Sequence, residues 1–283
     1  LPEQYDQSPL RTGELTDYHV HPDFSVDAEG TVRDFCQRAL ARGLAGLCFT
    51  THFDANPDSD GLVNFIRVGG VDRPATVENL RPYVEAVSEA RAVFGTRGLR
   101  VLLGVEFGWY PGCEGQVEQL RRVWDFDYVL CGIHELEHIC LCSQHNVKAC
   151  FGRYDAGVFA AKYFEQARAA AASGLFDAMA HVPYYLRYGP GFYGADMLTL
   201  HEGHVERLFS ACVKTHTALE INTSGIRHGR GHYYPTDAVI MAAREAGVMV
   251  DRLGSDAHHP EQLALDFDRA AGRLQTAPPA VPS

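Results

Sequence analysis

The stretch FDYVLCGIHELEH, residues 126–138, decides the fold. Its last five residues, His134-Glu135-Leu136-Glu137-His138, satisfy H-E-x-x-H, a zinc-protease pattern. That pattern grips one metal only on a helix, where residues four apart share a face. The residues ahead of it argue for something else. FDYVLCGI, 126–133, is a short and nearly continuous apolar run, the signature of a buried strand. His134 is therefore expected at a strand's C-terminal end and His138 in the loop beyond, so the protease reading is rejected.

Six other runs share this character: LTDYHVH (15–21), GLAGLCFTTH (43–52), RVLLGVEFG (100–108), FDAMAHV (176–182), TALEINTSG (217–225) and GVMVDRLGSDAH (247–258). Segments such as TVRDFCQRALARG (31–43) and TDAVIMAAREAG (236–247) lie between them, with apolar residues recurring at three and four. Such alternation means parallel strands joined by crossover helices. Seven units in 283 residues predict an α/β barrel, a seven-unit variant of the TIM architecture, with an open doubly wound sheet as the alternative. One domain is expected over 1–275, followed by a disordered tail, TAPPAVPS, at 276–283. The Gly- and Asp-rich stretch 55–75 reads as a long loop, a candidate lid or binding loop.

A net charge of −11 disfavours nucleic acid and membrane surfaces as partners, though bound metals would still admit a small phosphorylated substrate. No apolar run approaches a membrane span and no signal peptide is visible. Eight cysteines without a C-x-x-C read as reduced thiols, hence a cytoplasmic location. Cys140, Cys142, His145 and Cys150 share one loop; ordinary thiols are favoured there over a small zinc site. Nothing in the sequence fixes an oligomeric state.

Fourteen histidines point to metal. In α/β barrels chemistry is built at the C-terminal strand ends, and six of the seven runs end in an imidazole or carboxylate. The first ends in His19 and His21, with Asp27 just beyond; the next three end in His52, Glu106 and His134. The fifth ends in His181 and the seventh in Asp256 and His258, while the sixth ends in Asn222. Nine such ligands are too many for one ion and suit two or three divalent ions, with Zn, Mn and Fe all compatible. His201 and His204 are read as the outer face of a helix, and His228, after strand six, as a candidate to face substrate.

The motifs DYHVHPDFSVDA, TTH, GVEFG, GIH, AHV and GSDAH, taken in order, resemble those of the PHP (polymerase and histidinol phosphatase) superfamily from about Asp17 to about Pro260. LEINTSGIRHG further resembles its histidinol-phosphate phosphatase branch. The resemblance implies a distorted (β/α)7 barrel with a trinuclear metal centre: His19, His21, Glu106 and Asp256 on one ion, Glu106 bridging to a second with His134 and His181, and Asp27, His52 and His258 on a third. It implies a phosphomonoesterase in which a metal-bridging hydroxide attacks phosphorus in line. Glu106, Asp256 and Arg227 form the expected catalytic set. Arg227, Arg187 and His228 are the expected substrate contacts, the arginines as phosphate clamps. Glu135 and Glu137 are candidates for a cationic substrate amine. Thr50-Thr51-His52 and AHVPYYLRYG (180–189) depart from the family pattern and are expected to reshape the substrate pocket. Two other readings stand beside this one: an amidohydrolase-like enzyme cleaving a non-phosphate bond, and a structural accessory module of a polymerase.

Overall fold

Seven parallel strands close on themselves: β1 (Thr16–Val20), β2 (Gly46–Phe49), β3 (Arg100–Gly108), β4 (Tyr128–Gly132), β5 (Ala178–Met179), β6 (Ala218–Asn222) and β7 (Arg252–Gly254). Each pairs with its successor, and β7 returns to β1 through Leu253 and Asp17. The barrel reading therefore holds and the open sheet is excluded. The computed structural model describes residues 14–59, 64–143 and 145–274, so the tail expected at 276–283 lies outside the described residues.

The crossovers are helices whose starts follow from sequence. Thr31 and Asp34 form a reciprocal capping box ahead of α1 (Val32–Arg42), and left-handed Gly43 ends it. Next come α2 (Arg81–Gly95), with a proline in its first turn, and α3 (Glu114–Val123). Asp155 caps α4 (Ala156–Ala172), which precedes α5 (Val205–Thr215) and α6 (Asp237–Glu245). Their apolar faces and the outer strand faces form the main core. A smaller cluster fills the barrel axis: Cys48, Tyr128, Leu130, Ala178, Ala180 and Ala218, with Leu102 against it. The two-residue period of a strand carries that inward face from Leu102 to Glu106 and from Ala218 to Glu220 and Asn222. The apolar cluster thus floors the barrel and polar groups occupy its C-terminal end.

Several expectations change in detail. The second run breaks at Thr50-Thr51, then resumes as a two-residue strand, His52–Phe53, whose His52 sits opposite Glu106. The H-E-x-x-H residues form a hairpin, with Glu135–Leu136 against Ile139–Cys140 and Glu137 and His138 at positive φ, so no helix unites the histidines. The loop expected at 55–75 holds an antiparallel hairpin, Phe65–Val68 with Val71–Pro74, turned at Gly69-Gly70; residues 60–63 lie outside the described residues. Its Ile66 bridges to Ser25 and its Arg67 N–H donates to Phe24 O, docking it on the segment after β1. His201 and His204 precede α5 rather than riding on it, and His204 stacks on Phe164 at 6.0 Å.

Candidate metal centre

Glu106, on β3, is fully buried, and its two oxygens face different imidazoles. Oε1 lies 2.9 Å from His181 Nε2 and 3.1 Å from His134 Nε2. Oε2 lies 3.2 Å from His19 Nε2, 3.5 Å from His21 Nε2 and 3.0 Å from His52 Nδ1. Asp256 Oδ1 lies 3.4 Å from His21 Nε2, 3.6 Å from His19 Nε2 and 3.5 Å from His258 Nδ1. Toward solvent, Asp27 Oδ2 is 3.4 Å from His258 Nε2, and His52 Nε2 and His258 Nε2 are 3.3 Å apart. All nine residues singled out from the strand ends therefore meet in one place. Four triads have ligand atoms within 4.8 Å of one another: His19–His21–Asp256, His19–Glu106–His181, His52–Glu106–His134 and His21–His52–His258. Cys140, Cys142, His145 and Cys150 make no such group among the described residues.

Local backbone features make this convergence possible. The β1–β2 register shifts between Asp17 and Val20, around His19, a bulge of the kind that re-aims side chains beside active sites. Asp17 accepts from His19 N–H and Ser255 N–H through Oδ1 and from Ala264 N–H through Oδ2, tying the bulge to the loop after β7. His181 (φ 35°) and Asp256 (φ 54°) are left-handed, a conformation that the surroundings must enforce for residues other than glycine. Arg227 supplies part of that enforcement, donating to Ser255 O at 3.0 Å and Asp256 O at 2.8 Å. Gly132 leaves the space for His134: a Cβ there would strike its Nε2 and lie 2.8 Å from Glu106 Oε1.

Three supporting residues escaped the sequence reading. Glu220, fully buried on β6, lies 2.8 Å from His19 Nδ1 and accepts from His181 N–H at 3.0 Å. Asp54 Oδ1 lies 2.9 Å from His134 Nδ1. Ser25 Oγ lies 3.2 Å from His21 Nδ1 and accepts from His52 N–H. Carboxylates on the far ring nitrogen fix tautomer and orientation in metal sites. The available signal was a carboxylate within an apolar strand, ALEIN, and the alternation His52-x-Asp54.

The electrostatics and the donor chemistry suit cations. Burial alone would discharge Glu106 and Asp256, yet the surrounding imidazoles hold both carboxyls well below their usual range. Burial also opposes a charged His52, but Asp27 and Glu106 hold it at about 9. His21 goes the other way, driven down by burial and by His52 and His258. Among the described residues, buried His19 Nε2, His21 Nε2, His52 Nδ1, Asp54 Oδ2 and Glu106 Oε2 have no well-aligned hydrogen-bond partner. Orphaned buried polar atoms are rare and expensive, and here they point at one another. Divalent cations fit this arrangement, since N/O donors would replace the missing partners.

A cavity of about 280 Å³ opens onto the centre, lined in part by Asp54, Cys142, Ser143, Tyr184 and Arg187. Arg187 ends a short 3₁₀ turn, Tyr184–Arg187; it donates to Tyr184 Oη and lies over the rings of Tyr184 and Tyr188. Arg227 is not among the lining residues, because its guanidinium serves the backbone of Ser255 and Asp256. His228 is pushed down to about 3 by burial and by the charges of Arg187 and Arg227, so its ring is neutral. Glu135 and Glu137 do not line this cavity either: Asn56 Nδ2 donates to Glu135, and Glu137 binds Lys162 and Tyr154.

The chain matches the PHP domain family over residues 17–224. It is 30% identical over 261 residues to a protein of Deinococcus radiodurans named "Probable histidinol-phosphatase", covering 92% of this chain and 93% of that protein. It is 24% identical over 271 residues to the histidinol-phosphatase of Lactococcus lactis, covering 92% and 90%. The crystal structure of histidinol phosphate phosphatase from L. lactis, complexed with zinc, L-histidinol and phosphate, superimposes with a TM-score of 0.71 at 21% identity, covering 87% of each chain. At that identity the structural likeness is one of fold. Among the described residues no helix is long and apolar enough to cross a membrane.

Proposed function

Because this chain belongs to the PHP domain family, we propose that it is a metal-dependent phosphomonoesterase whose substrate is histidinol phosphate or a similar small phosphate ester. The observation that carries the reading is Glu106, whose two buried oxygens face separate sets of imidazoles, His134 and His181 on one side and His19, His21 and His52 on the other, the arrangement of a carboxylate shared between two cations. We assign His19, His21, Glu106 and Asp256 to one ion, Glu106, His134 and His181 to a second, and Asp27, His52 and His258 to a third. The ions are Zn, Mn or Fe, the choices such donors allow. The acidic chain and its reduced thiols fit a cytoplasmic enzyme of small-molecule metabolism.

When bound, divalent ions would supply positive charge for the phosphoryl oxygens and acidify a water to serve as nucleophile. The chain's own groups do the rest. Arg187, fixed against two tyrosine rings at the cavity wall, binds and orients the phosphate with a planar fork of donors. His228 is not among the residues that line this cavity, so no substrate contact is assigned to it. Asp54 and Glu220 hold the Nδ1 protons of His134 and His19, leaving both Nε2 atoms as donors to a cation. Arg227 keeps Asp256 in its left-handed conformation and acts through that residue rather than on phosphate.

Phosphate release from a panel of phosphomonoesters including L-histidinol phosphate tests the proposal. A kcat/KM for histidinol phosphate well above the rest supports it. Metal-loaded protein that releases phosphate from no member overturns it, and the amidohydrolase-like reading, with the same acidified water on a non-phosphate bond, takes its place.

A further inference from the structure

Cys142 lines the cavity and Cys140 is buried behind it, and neither has a part in the chemistry above. Cys140 closes the small hairpin that begins at Glu135, opposite which it pairs. Its Sγ lies 3.2 Å from Cys142 Sγ. Cys142 lines the cavity and donates its S–H to His134 O at 3.2 Å, directly behind a candidate metal ligand. All eight cysteines of the chain are described; seven are buried, and Cys142 alone is partly open to solvent. The partly open thiol thus has a buried partner already within van der Waals reach.

We propose that Cys140 and Cys142 form an oxidisable dithiol beside the cavity mouth, converted by hydrogen peroxide into an intramolecular disulfide that reshapes the entrance. Cys142 sulfur attacks one peroxide oxygen, the O–O bond breaks, and hydroxide leaves to become water with the thiol's proton, giving a sulfenic acid. Cys140 sulfur then attacks Cys142 Sγ; the S–S bond forms, the S–OH bond breaks, and a second water departs. Two thiols are oxidised and one peroxide is reduced to two waters. Reaching the bond length requires the sulfurs to close by about 1 Å, a movement within the reach of a hairpin end. It removes the S–H donor from His134 O and shifts the Cys142 wall of the cavity. A dithiol reductant reverses the change.

The test treats the metal-loaded protein with hydrogen peroxide and reads intact mass, peptide linkage and phosphate release, before and after dithiothreitol. The expected result is loss of two hydrogens, a Cys140–Cys142 cross-linked peptide, and a fall in kcat/KM that dithiothreitol restores. Cys140→Ser should instead retain a dimedone-reactive sulfenic acid on Cys142. Linkage through other cysteines, or oxidation of Cys142 to sulfinic acid while Cys140 stays a thiol, overturns the site. Unchanged phosphate release from fully cross-linked protein overturns its effect on the entrance. The mass readout stands whether or not the reduced protein releases phosphate, so failure of the dithiol site is separable from failure of the phosphatase reading.

Discussion

Glu220 Oε1 lies 2.8 Å from His19 Nδ1 across the barrel mouth, and neither side chain is open to solvent. A carboxylate in that position fixes the tautomer with Nε2 bare and raises the basicity of the ring. Glu220→Gln keeps the volume and removes the charge, so it is expected to weaken metal retention about 10- to 100-fold. Competition against a chromophoric chelator measures this. An affinity equal to that of the unmodified protein would remove Glu220 from the metal site.

Arg187 and Arg227 differ in what their guanidinium groups touch, and their variants should separate. Arg187 lines the cavity, so Arg187→Ala is expected to raise KM for a phosphate ester about 10- to 100-fold, the worth of a charge-assisted hydrogen bond of about 1.5–3 kcal/mol. Arg227 holds the carbonyls of Ser255 and Asp256, so Arg227→Ala should lower metal content and kcat more than it raises KM. A pure KM effect at Arg227 would return it to the phosphate.

Two glycines make a paired test of space. A Cβ on Gly254 would strike Glu220 Oε1 and lie 2.6 Å from His19 Cβ, so Gly254→Ala should cost metal content along with stability. A Cβ on Gly95, at the end of α2, meets nothing within 4 Å, and Gly95→Ala should be neutral or stabilising by up to about 1 kcal/mol. Thermal unfolding and elemental analysis of both variants decide it; a Gly254→Ala protein with full metal content would mean the site tolerates displacement of His19.

Much of this site was legible because a parallel barrel converts one-dimensional order into convergence. Once 126–133 is read as a strand, His134 must stand at the mouth, and the same step places His19, His52, Glu106, His181 and Asp256 there. What was missed depends on three-dimensional neighbours. Glu220 looks like a strand residue until the inward face of β6 is known to meet His19. Arg227 follows strand six as a phosphate ligand would, yet the left-handed turn at Asp256, invisible in sequence, claims its donors. The 55–75 segment carried a Gly-Gly turn between two short runs that pair with each other, and still read as loop, because its second run, Val71–Pro74, is exposed and shows no apolar alternation.

Stripping the metals should destabilise the fold. Glu106 and Asp256 are buried at 0% and 4% exposure, and without cations their charges would be balanced mainly by imidazoles that must then carry protons. Cations that bind only the folded chain raise its stability by mass action. Tm should therefore fall after exhaustive chelation and return on adding back Zn or Mn. Equal Tm values for stripped and loaded protein would mean that the buried cluster stands without ions.

The most direct test of the account is the number of metal ions per chain in the active protein, measured by elemental analysis beside Glu106→Ala. Two or three ions per chain, with the variant folded but losing more than one of them, is the predicted result, because one carboxylate serves two ions. A metal-free active protein, or a Glu106→Ala variant that keeps its full complement, would contradict the shared-carboxylate centre on which the proposed chemistry rests.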